Sequence, residues 1–312
     1  MALLSIIIPC YNAEKFIDRC LESCLKGDSN IIEIICVNDG SQDNTLEIIT
    51  NMQMKYENIK VIDIKNKGVM NARYIGYLHS TTENIFFLDA DDYIVDNFIE
   101  KVYRFLYSKT EELLIFNYKY VYLNKENNSK IFGGKELIKD LLLNNINSAM
   151  WNKIFKRKII KDIYFKELES LGYGEDIAFM VLVAKQKPKY KIIDDILYFY
   201  IINKDSITNS KKSKNKKILD VSKGSNYIQE YLSNESDEYK EEIEYFYYYH
   251  NCYCRIIDML TLRKDIRIQL YNIWKNSEID ITKNKYYKNN KRDKFIKFIM
   301  WIYPVIKKVY FW

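Results

Sequence analysis

Apolar residues follow two alternating patterns along the first third of the chain. Runs of strand length occupy residues 3–9, 32–39, 59–64 and 84–91. Residues 13–25 and 45–56, which lie between these runs, carry apolar side chains at the spacing of one helix face. Strand and helix therefore alternate, and this order predicts an α/β fold whose parallel sheet is covered by helices. Ligands of such sheets bind beyond the carboxyl ends of the strands.

Polar and turn-forming residues follow three of the four predicted strands. They are Pro9, Tyr11 and Asn12 after the first strand, Asp39, Gly40 and Ser41 after the second, and Asp89, Asp91 and Asp92 after the fourth. Three carboxylates so close together repel one another, so they favour a bound cation or a donor-rich ligand, with a solvated turn as the alternative for this motif alone. No glycine-rich phosphate loop is present, so a diphosphate here would need a hard divalent cation such as Mn²⁺ or Mg²⁺.

Composition narrows the class of protein. At 312 residues and 48% hydrophobic content the chain can bury a full core. Six cysteines without a CxxC pair, together with only two histidines, argue against a zinc enzyme and against a Ser-His-Asp hydrolase. The sequence turns polar soon after its first apolar run, which argues against a signal peptide or a membrane span there. We therefore expect a cytoplasmic protein.

Positive charge is concentrated near the end of the sequence. Residues 283–312 hold nine basic residues and one acidic residue and so carry +8, whereas the whole chain carries +6. The remainder is slightly acidic, which argues against nucleic acid as a partner. In residues 291–312 lysines are interleaved with aromatic and aliphatic side chains. This pattern favours contact with the inner face of a membrane, and the alternative is a terminal helix docked on the body.

Seven segments together resemble the inverting glycosyltransferases of family 2, which have the GT-A fold, a Rossmann-like fold of nucleotide-diphospho-sugar transferases. The segments are SIIIPCYNAEKFIDRCLES (5–23), VNDGSQDNT (37–45), NKGVMNARYIG (66–76), FLDADDYI (87–94), WNKIFKR (151–157), GYGEDIAF (172–179) and YIINKDSIT (200–208). Their order and spacing fit over about the first 210 residues. The resemblance implies a mixed, mostly parallel sheet flanked by helices, with a helical C-terminal region.

The resemblance also implies a donor site. Tyr11 would stack on the uracil, and Asp39 would accept a hydrogen bond from the base. Arg73 would lie near the base and the phosphates. Asp89 would hold the ribose, and Asp91, together with Asp89, would bind the Mn²⁺ or Mg²⁺ that bridges the diphosphate. The remaining residues of this implied donor site are Pro9, Asn12, Gly40, Ser41 and Ala90.

The acceptor side follows from the later segments. Asp176 is the implied general base, with Glu175 beside it, whereas a Glu-Asp pair taken alone would be explained by the preference of acids for the first turn of a helix. Trp151, Gly174 and Asp92 are the candidates for contact with the sugar or the acceptor. The alternative for Trp151 is a place in the core. Lys204 is the candidate that would meet the diphosphate.

The expected organisation is a catalytic domain at 1–210, divided into a nucleotide-binding half (1–117) and an acceptor half (118–210), then a helical region at 211–290 and the tail at 291–312. The expected activity is metal-dependent, inverting transfer of a sugar from a UDP-sugar donor to a hydroxyl of a surface polysaccharide, lipooligosaccharide or lipid-linked glycan. The alternatives are a catalytically silent glycan- or membrane-binding protein on the same fold and a metal-dependent nucleotidyltransferase. The sequence leaves the sugar, the acceptor and the oligomeric state open.

Overall fold

The structure, a computed structural model, describes most of the chain. The described residues are 2–26, 30–122, 125–128, 131, 136–172, 174–202, 214–233, 237–253, 264–276, 279–288, 291 and 293–298. Lys204, expected near the diphosphate, lies outside them, as do residues 299–312 of the tail.

The first part of the chain forms the parallel part of the sheet. Its strands are β1 (Leu4–Cys10), β2 (Ile32–Asp39), β3 (Ile59–Ile64) and β4 (Asn84–Phe87), and its helices are α1 (Ile17–Leu25), α2 (Thr45–Lys55) and α3 (Val69–His79). Strands β2 and β4 pair in parallel with β1, and β3 pairs in parallel with β2. The alternation predicted from the apolar pattern is confirmed, and the carboxyl ends of these strands point to the same edge of the sheet.

Both faces of this sheet are covered, because side chains alternate between the two faces along each strand. Ile6 of β1 lies in one buried cluster with Cys20 of α1, whereas Ile7 lies in a second cluster with Met70 of α3. A strand that is buried on both faces reads as a continuous apolar run, which is the pattern seen in residues 3–9. The free thiols in this region, at Cys10, Cys20, Cys24 and Cys36, are all buried and serve as small core residues, as expected.

The second part of the sheet is mixed. Its strands are β5 (Tyr93–Ile94), β6 (Leu113–Tyr122), β7 (Lys125–Asn128), β8 (Lys153–Lys156) and β9 (Tyr190–Ile201), and its helices are α4 (Phe98–Leu106), α5 (Leu137–Leu142), α6 (Asp162–Leu168) and α7 (Glu175–Lys185). Strand β8 is antiparallel to both β4 and β6, whereas β6 and β9 are parallel. The order across the sheet is β3-β2-β1-β4-β8-β6-β9-β5, with β7 beside β6. The strand direction therefore changes next to β4, whose end carries the acidic segment.

The C-terminal region is helical. Its helices are α8 (Lys214–Ser233), α9 (Lys240–Tyr248) and α10 (Lys264–Asn276). Ile228 of α8 and Phe246 of α9 belong to the same buried cluster as the apolar side chains of α7. The helical region expected at 211–290 thus packs on the body of the protein through α8 and α9. Among the described residues, no helix combines the length and the apolar character that crossing a bilayer requires.

Candidate active site

The ends of β1 and β2 lie side by side and are tied together by polar contacts. Cys10 is in register with Asn38, so the residues that follow them are neighbours. The backbone N–H of Asn12 donates to Ser41 Oγ at 3.1 Å, and Asn12 Oδ1 accepts from the backbone of Gln42 at 2.8 Å. The Tyr11 side chain beside them is 41% exposed, so an aromatic surface is open to solvent at this edge of the sheet.

Asp39, at the end of β2, fixes the turn that leads into α3. Its carboxylate accepts from the backbone N–H of Lys67 at 2.8 Å and from that of Gly68 at 2.9 Å. Glycine is required at position 40, because its φ is +67° and a Cβ there would lie 2.8 Å from the backbone nitrogen of Asn66. The close approach of these two turns places the start of α3 at the strand ends.

Arg73 of α3 joins the two parts of the site. One terminal nitrogen, Nη2, donates to Asp89 Oδ1 at 2.9 Å, and the other, Nη1, donates to Asp176 Oδ1 at 2.9 Å. The arginine side chain is 4% exposed, whereas each carboxylate side chain is 26% exposed. Burial lowers the pKa of Arg73, but Asp176 and Asp89 outweigh it and raise the pKa above its usual value. The guanidinium is therefore a fixed positive charge that holds two carboxylates at the wall of the site.

Both terminal nitrogens of Arg73 are directed to carboxylates. The prediction that Arg73 lies near the base and the phosphates stays untested. The sulfur atoms of Met70 and Met150 pack at 3.8 Å from Nη1 and fill the space around the guanidinium. The sequence gives no direct sign of this bridge, since Arg73 and Asp176 are far apart along the chain.

The segment after β4 carries carboxylates in two different environments. Asp91 is partly exposed, and burial followed by the charge of Asp89 raises its pKa to about 6. The guanidinium of Arg19 donates to the backbone carbonyl of Asp91 at 3.0 Å and lies over the ring of Tyr93, at 4.6 Å from its centroid. Asp89 and Asp91 thus form an electrostatically crowded pair that a cation would relieve.

Asp92, expected to contact the sugar or the acceptor, is instead part of the core. It is 1% exposed, and its carboxylate accepts from Tyr198 Oη at 2.5 Å and from the backbone N–H of Ile201 at 2.7 Å. These two bonds satisfy a buried carboxylate that would otherwise be costly. Its function in this arrangement is to tie the acidic segment to β9.

Trp151, the other candidate for a sugar contact, takes the core alternative. Its indole is 6% exposed and stacks on the ring of Tyr198 with 4.5 Å between centroids. Tyr118 meets the indole edge-on at 4.6 Å, and Tyr200 lies at 5.3 Å. Because aromatic neighbours cover the indole, it supports Tyr198, which in turn holds Asp92.

The first turn of α7 carries the two acids of the predicted base. Burial raises the pKa of Asp176, Arg73 opposes this, and Asp89 adds to the rise. Burial and then the charge of Asp176 raise the pKa of Glu175 to about 8. The Arg73 contact favours the carboxylate form of Asp176.

A close backbone contact supports this turn from the C-terminal region. Gly174 precedes α7 with φ +84°, a conformation that favours glycine. Gly224 of α8 lies against it, since a Cβ on Gly224 would be 3.2 Å from the carbonyl oxygen of Gly174. The predicted sugar contact at Gly174 is untested, but its backbone clearly determines where α7 begins.

Lys153 of β8 is a residue near the site that the sequence interpretation missed. It is 0% exposed, and Asp176 is the charge that partly offsets the effect of burial on its pKa. Lys153 belongs to a short strand whose four residues are all buried. Because a lysine is almost never fully buried without partners, a lysine at such a position is expected to have hydrogen-bond or charge partners.

The donor set of the acidic segment fits a hard divalent cation in one specific way. Within the described residues, no group of three or more His, Cys, Asp or Glu side chains could hold a metal ion by itself. Mg²⁺ and Mn²⁺ commonly use one or two carboxylates and complete their coordination with phosphate and water. Asp89 and Asp91 therefore fit a site that is completed by a substrate diphosphate rather than an all-protein metal cage.

Comparison with known proteins gives a consistent assignment. The model of the family "Glycosyl transferase family 2" matches residues 5–164. The uncharacterized glycosyltransferase EpsJ of Bacillus subtilis is 26% identical over 218 residues, which are 66% of this chain and 63% of that protein. The poly(ribitol-phosphate) beta-glucosyltransferase of Bacillus spizizenii is 26% identical over 213 residues, 65% of this chain and 32% of that protein. The chain thus spans less than two thirds of the length of either relative.

Solved structures share the fold. The crystal structure of S. aureus TarS 1-349 in complex with UDP-GlcNAc superposes with a TM-score of 0.68, covers 88% of this chain and 79% of that one, and is 20% identical. This likeness confirms the GT-A fold implied by the sequence, with its mixed, mostly parallel sheet and helical C-terminal region. The family model matches half of the sequence, including strands β2 and β4, which lead to Asp39 and Asp89. The chain belongs to glycosyltransferase family 2.

Proposed function

We propose that the protein transfers a sugar from a UDP-sugar to a hydroxyl of a bacterial surface glycan, with inversion at the anomeric carbon. The observation that carries this proposal is the bridge from Asp89 through Arg73 to Asp176, with both contacts at 2.9 Å. The bridge holds Asp89, a candidate for the donor side, and Asp176, the candidate base, at one buried cation. An inverting displacement needs the base and the leaving group on opposite sides of the reacting carbon, and we place that carbon beside this bridge, between the two carboxylates.

The donor end is supported by the residues at the strand ends. Tyr11 offers an exposed aromatic surface for a base, and the Asp39 carboxylate, already fixed by two backbone N–H groups, retains lone pairs for another donor. The UDP-GlcNAc complex of the S. aureus neighbour supports a uridine diphosphate sugar as the donor class. A pyrophosphate would then lie toward Asp89 and Asp91.

The transfer step uses the free oxygen of Asp176. The acceptor hydroxyl oxygen attacks the anomeric carbon while the bond from that carbon to the diphosphate oxygen breaks, and the hydroxyl proton passes to Asp176. Oδ1 of Asp176 is held by Arg73, which leaves Oδ2 to take the proton. The electron pair of the broken bond remains on the departing diphosphate.

Asp89 and Asp91 are the residues that would hold a Mn²⁺ or Mg²⁺ ion with the diphosphate. When bound, such an ion supplies Lewis-acid stabilisation of the charge on the leaving diphosphate. The support for this assignment is the raised pKa of Asp91, about 6, which reflects a partly buried carboxylate placed beside Asp89.

The first test separates donor binding from transfer. Thermal unfolding is measured with UDP-GlcNAc, UDP-glucose, UDP-galactose and UDP, each with Mn²⁺ and again with chelator, because a ligand that binds only the folded protein raises the midpoint. We expect a metal-dependent rise with at least one UDP-sugar, and release of UDP from that donor. Asp176→Asn should keep the thermal shift and lower the turnover by about 10²–10⁴-fold.

Matched variants make this test specific. Asp91→Asn should abolish the metal-dependent shift, whereas Asp96→Asn should leave it unchanged, because Asp96 forms an exposed pair with Lys26 at 2.8 Å. A shift that survives in Asp91→Asn would reject the metal assignment. Binding of donor without any turnover, in the wild type and in Asp176→Asn alike, would favour the catalytically silent alternative.

The acceptor class rests on two observations. The B. spizizenii relative is named as an enzyme that acts on poly(ribitol-phosphate), which supports a hydroxyl-rich surface polymer as the acceptor here. The tail supports a membrane-proximal or lipid-linked form of it, because residues 291–312 hold six basic residues among aromatic and aliphatic ones. We therefore propose that this segment contacts an anionic membrane surface.

Residues 293–298, which belong to the described part of the tail, show features of both alternatives raised by the sequence. Asp293 and Ile296 are each 2% exposed, and Asp293 accepts from Tyr248 Oη at 2.5 Å, so one side of this turn is docked. Phe295, on another side, is 44% exposed beside the exposed Lys294. The docked side would orient the aromatic and basic side toward lipid.

Vesicle sedimentation tests the membrane contact. We expect binding to vesicles that contain phosphatidylglycerol and much weaker binding to pure phosphatidylcholine, since the attraction depends on anionic lipid. Phe295→Ser should weaken the binding, and Met54→Ser is the matched control, because Met54 is also apolar and 76% exposed but lies on α2. Equal binding of the two variants would reject a specific role of this turn.

A further inference from the structure

Lys153 lies at the centre of a short loop that it organises. Its Nζ donates to the carbonyl oxygens of Asn147 at 2.6 Å and Ala149 at 2.7 Å, and to Asn152 Oδ1 at 2.6 Å. Three acceptors around one amine nitrogen require three N–H donors, which only the ammonium form provides. The loop at 147–152 is therefore folded around a positive charge that is fully buried.

The loop that Lys153 holds reaches Arg73. Met150, in the middle of the loop, is 0% exposed, and its sulfur lies 3.8 Å from Arg73 Nη1. Arg73 Nη1 is the same nitrogen that donates to Asp176 Oδ1. A displacement of the loop would therefore alter the packing of the group that holds the proposed base.

Lys153 also acts on Asp176 through its charge. Four charged or titratable groups face Asp176: Arg73 from α3, Asp89 from the segment after β4, Glu175 next to it on α7, and Lys153 from β8. Arg73 and Lys153 favour the carboxylate form of Asp176, and the two acids disfavour it. Burial lowers the pKa of Lys153 to about 7, and Asp176 counteracts this change.

We propose that Lys153 is a positioning residue for the transfer reaction, which holds the 147–152 loop against Arg73 and stabilises the carboxylate form of Asp176. The inference rests on the proposed role of Asp176 as the base. Lys153 itself is enclosed by the loop, so it contacts neither donor nor acceptor. Its effect on turnover passes through Asp176 and Arg73.

The chain offers a closely matched control at Lys156. This residue lies on the same strand, is 8% exposed, and donates to the carbonyl oxygens of Phe105 at 3.2 Å and Leu106 at 3.1 Å. Glu83 is the first acid that acts on its pKa, and Asp176 is not among its causes. Lys156→Met therefore removes a buried ammonium and its hydrogen bonds without removing a charge near the base.

Titration by NMR of the full chain with ¹³C-carboxyl-labelled aspartate tests the proposal without any substrate. The Asp176 signal is identified by its loss in Asp176→Asn. We expect Lys153→Met to raise the pKa of Asp176 by about one pH unit, a typical effect of one nearby charge, and Lys156→Met to leave it unchanged. An unchanged pKa of Asp176 in folded Lys153→Met would overturn the proposal.

A reciprocal measurement covers the case in which Lys153→Met does not fold. If each charge stabilises the other, Asp176→Asn must lower the pKa of Lys153. Lysine signals labelled at Cε report this, and the signal lost in Lys156→Met identifies the other buried lysine. No change in the pKa of Lys153 in Asp176→Asn would contradict the electrostatic link.

Kinetic measurements then test whether the electrostatic interaction between Lys153 and Asp176 affects the reaction. With a UDP-sugar that is turned over, Lys153→Met should move the acidic limb of the kcat/KM profile to higher pH by the shift measured by NMR, with the donor KM unchanged. A fall in kcat at all pH values without a shift of that limb would show a purely structural role. An NMR shift in a protein that turns over none of the UDP-sugars would support the electrostatic link and count against the proposed function.

Discussion

Replacement of Arg73 by methionine is the most direct perturbation of the bridge. The change removes two ion pairs, each 2.9 Å long, from a guanidinium that is 4% exposed. Loss of one partner of a buried ion pair costs about 3–5 kcal/mol, because the remaining charge is left without compensation. Each carboxylate here is 26% exposed, so water replaces part of the lost interaction. We therefore expect the lower end of this range, about 3 kcal/mol, near pH 8.

The cost should depend on pH in a defined direction. Burial raises the pKa of Asp176 in the folded protein, and Arg73 limits the rise. A carboxyl group with a raised folded-state pKa binds a proton more tightly when folded, so its contribution to stability is lost as pH rises through that pKa. Without Arg73 the pKa of Asp176 rises further, and the loss extends to higher pH. Arg73→Met should therefore be closer to the wild type in stability at pH 5 than at pH 8.

Urea unfolding at both pH values measures this effect. Arg157→Met is the control, because Arg157 is a partly buried arginine that donates to the carbonyl oxygens of Thr82 at 2.9 Å and Ser80 at 2.8 Å, which do not titrate. Its cost should be nearly the same at pH 5 and pH 8. Adding Asp176→Asn to Arg73→Met should recover part of the lost stability at pH 8. A pH-independent cost of Arg73→Met, or no recovery in the double variant, would refute the bridge as the source of the effect.

Three further predictions concern the turns around the site. Glu175→Gln should stabilise the protein by about 2 kcal/mol at pH 9 and have little effect at pH 4, because its folded-state pKa of about 8 makes the carboxylate costly only at high pH; urea unfolding checks this. Gly40→Ala should lower the stability by about 2 kcal/mol in the same assay, since it combines left-handed backbone with a 2.8 Å contact. Gly224→Ala should leave stability within about 1 kcal/mol, since alanine favours the helix, but should lower kcat/KM for UDP release about tenfold by displacing Gly174.

The parallel half of the fold could be predicted from local pattern. Strands buried on both faces, such as β1, read as continuous apolar runs, and helices with one buried face, such as α1, show apolar residues at helical spacing. Parallel pairing then requires the strand ends to meet at one edge, which brings Tyr11, Asp39 and Asp89 to the same region. The local pattern is sufficient here because each of these strands or helices is buried either on both faces, as β1 is, or on one face, as α1 is.

The contacts within the site could not be predicted in the same way. Arg73 and Asp176 meet across more than a hundred positions of sequence, and nothing in either segment specifies the partner. Asp91 and Asp92 are adjacent and chemically identical, yet Asp92 accepts from Tyr198 in the core while Asp91 remains partly exposed. The difference arises from the position of β9, which is set by pairing with β6 late in the chain. Tertiary packing, and not the local sequence, therefore gives Asp91 and Asp92 their different environments.

The candidate site is formed by two stretches of the chain, and different structural elements hold each of them in place. The carboxylates after β4 are fixed by the parallel sheet and lie within the part that matches the family model, whereas Asp176 lies beyond residue 164, where that match ends. Asp176 is positioned by Arg73 from one side and, through Gly174, by α8 from the other. A change in α8 can therefore move Asp176 without moving strands β1 to β4. The helical C-terminal region thus helps to set the position of Asp176, the proposed base, relative to Asp89.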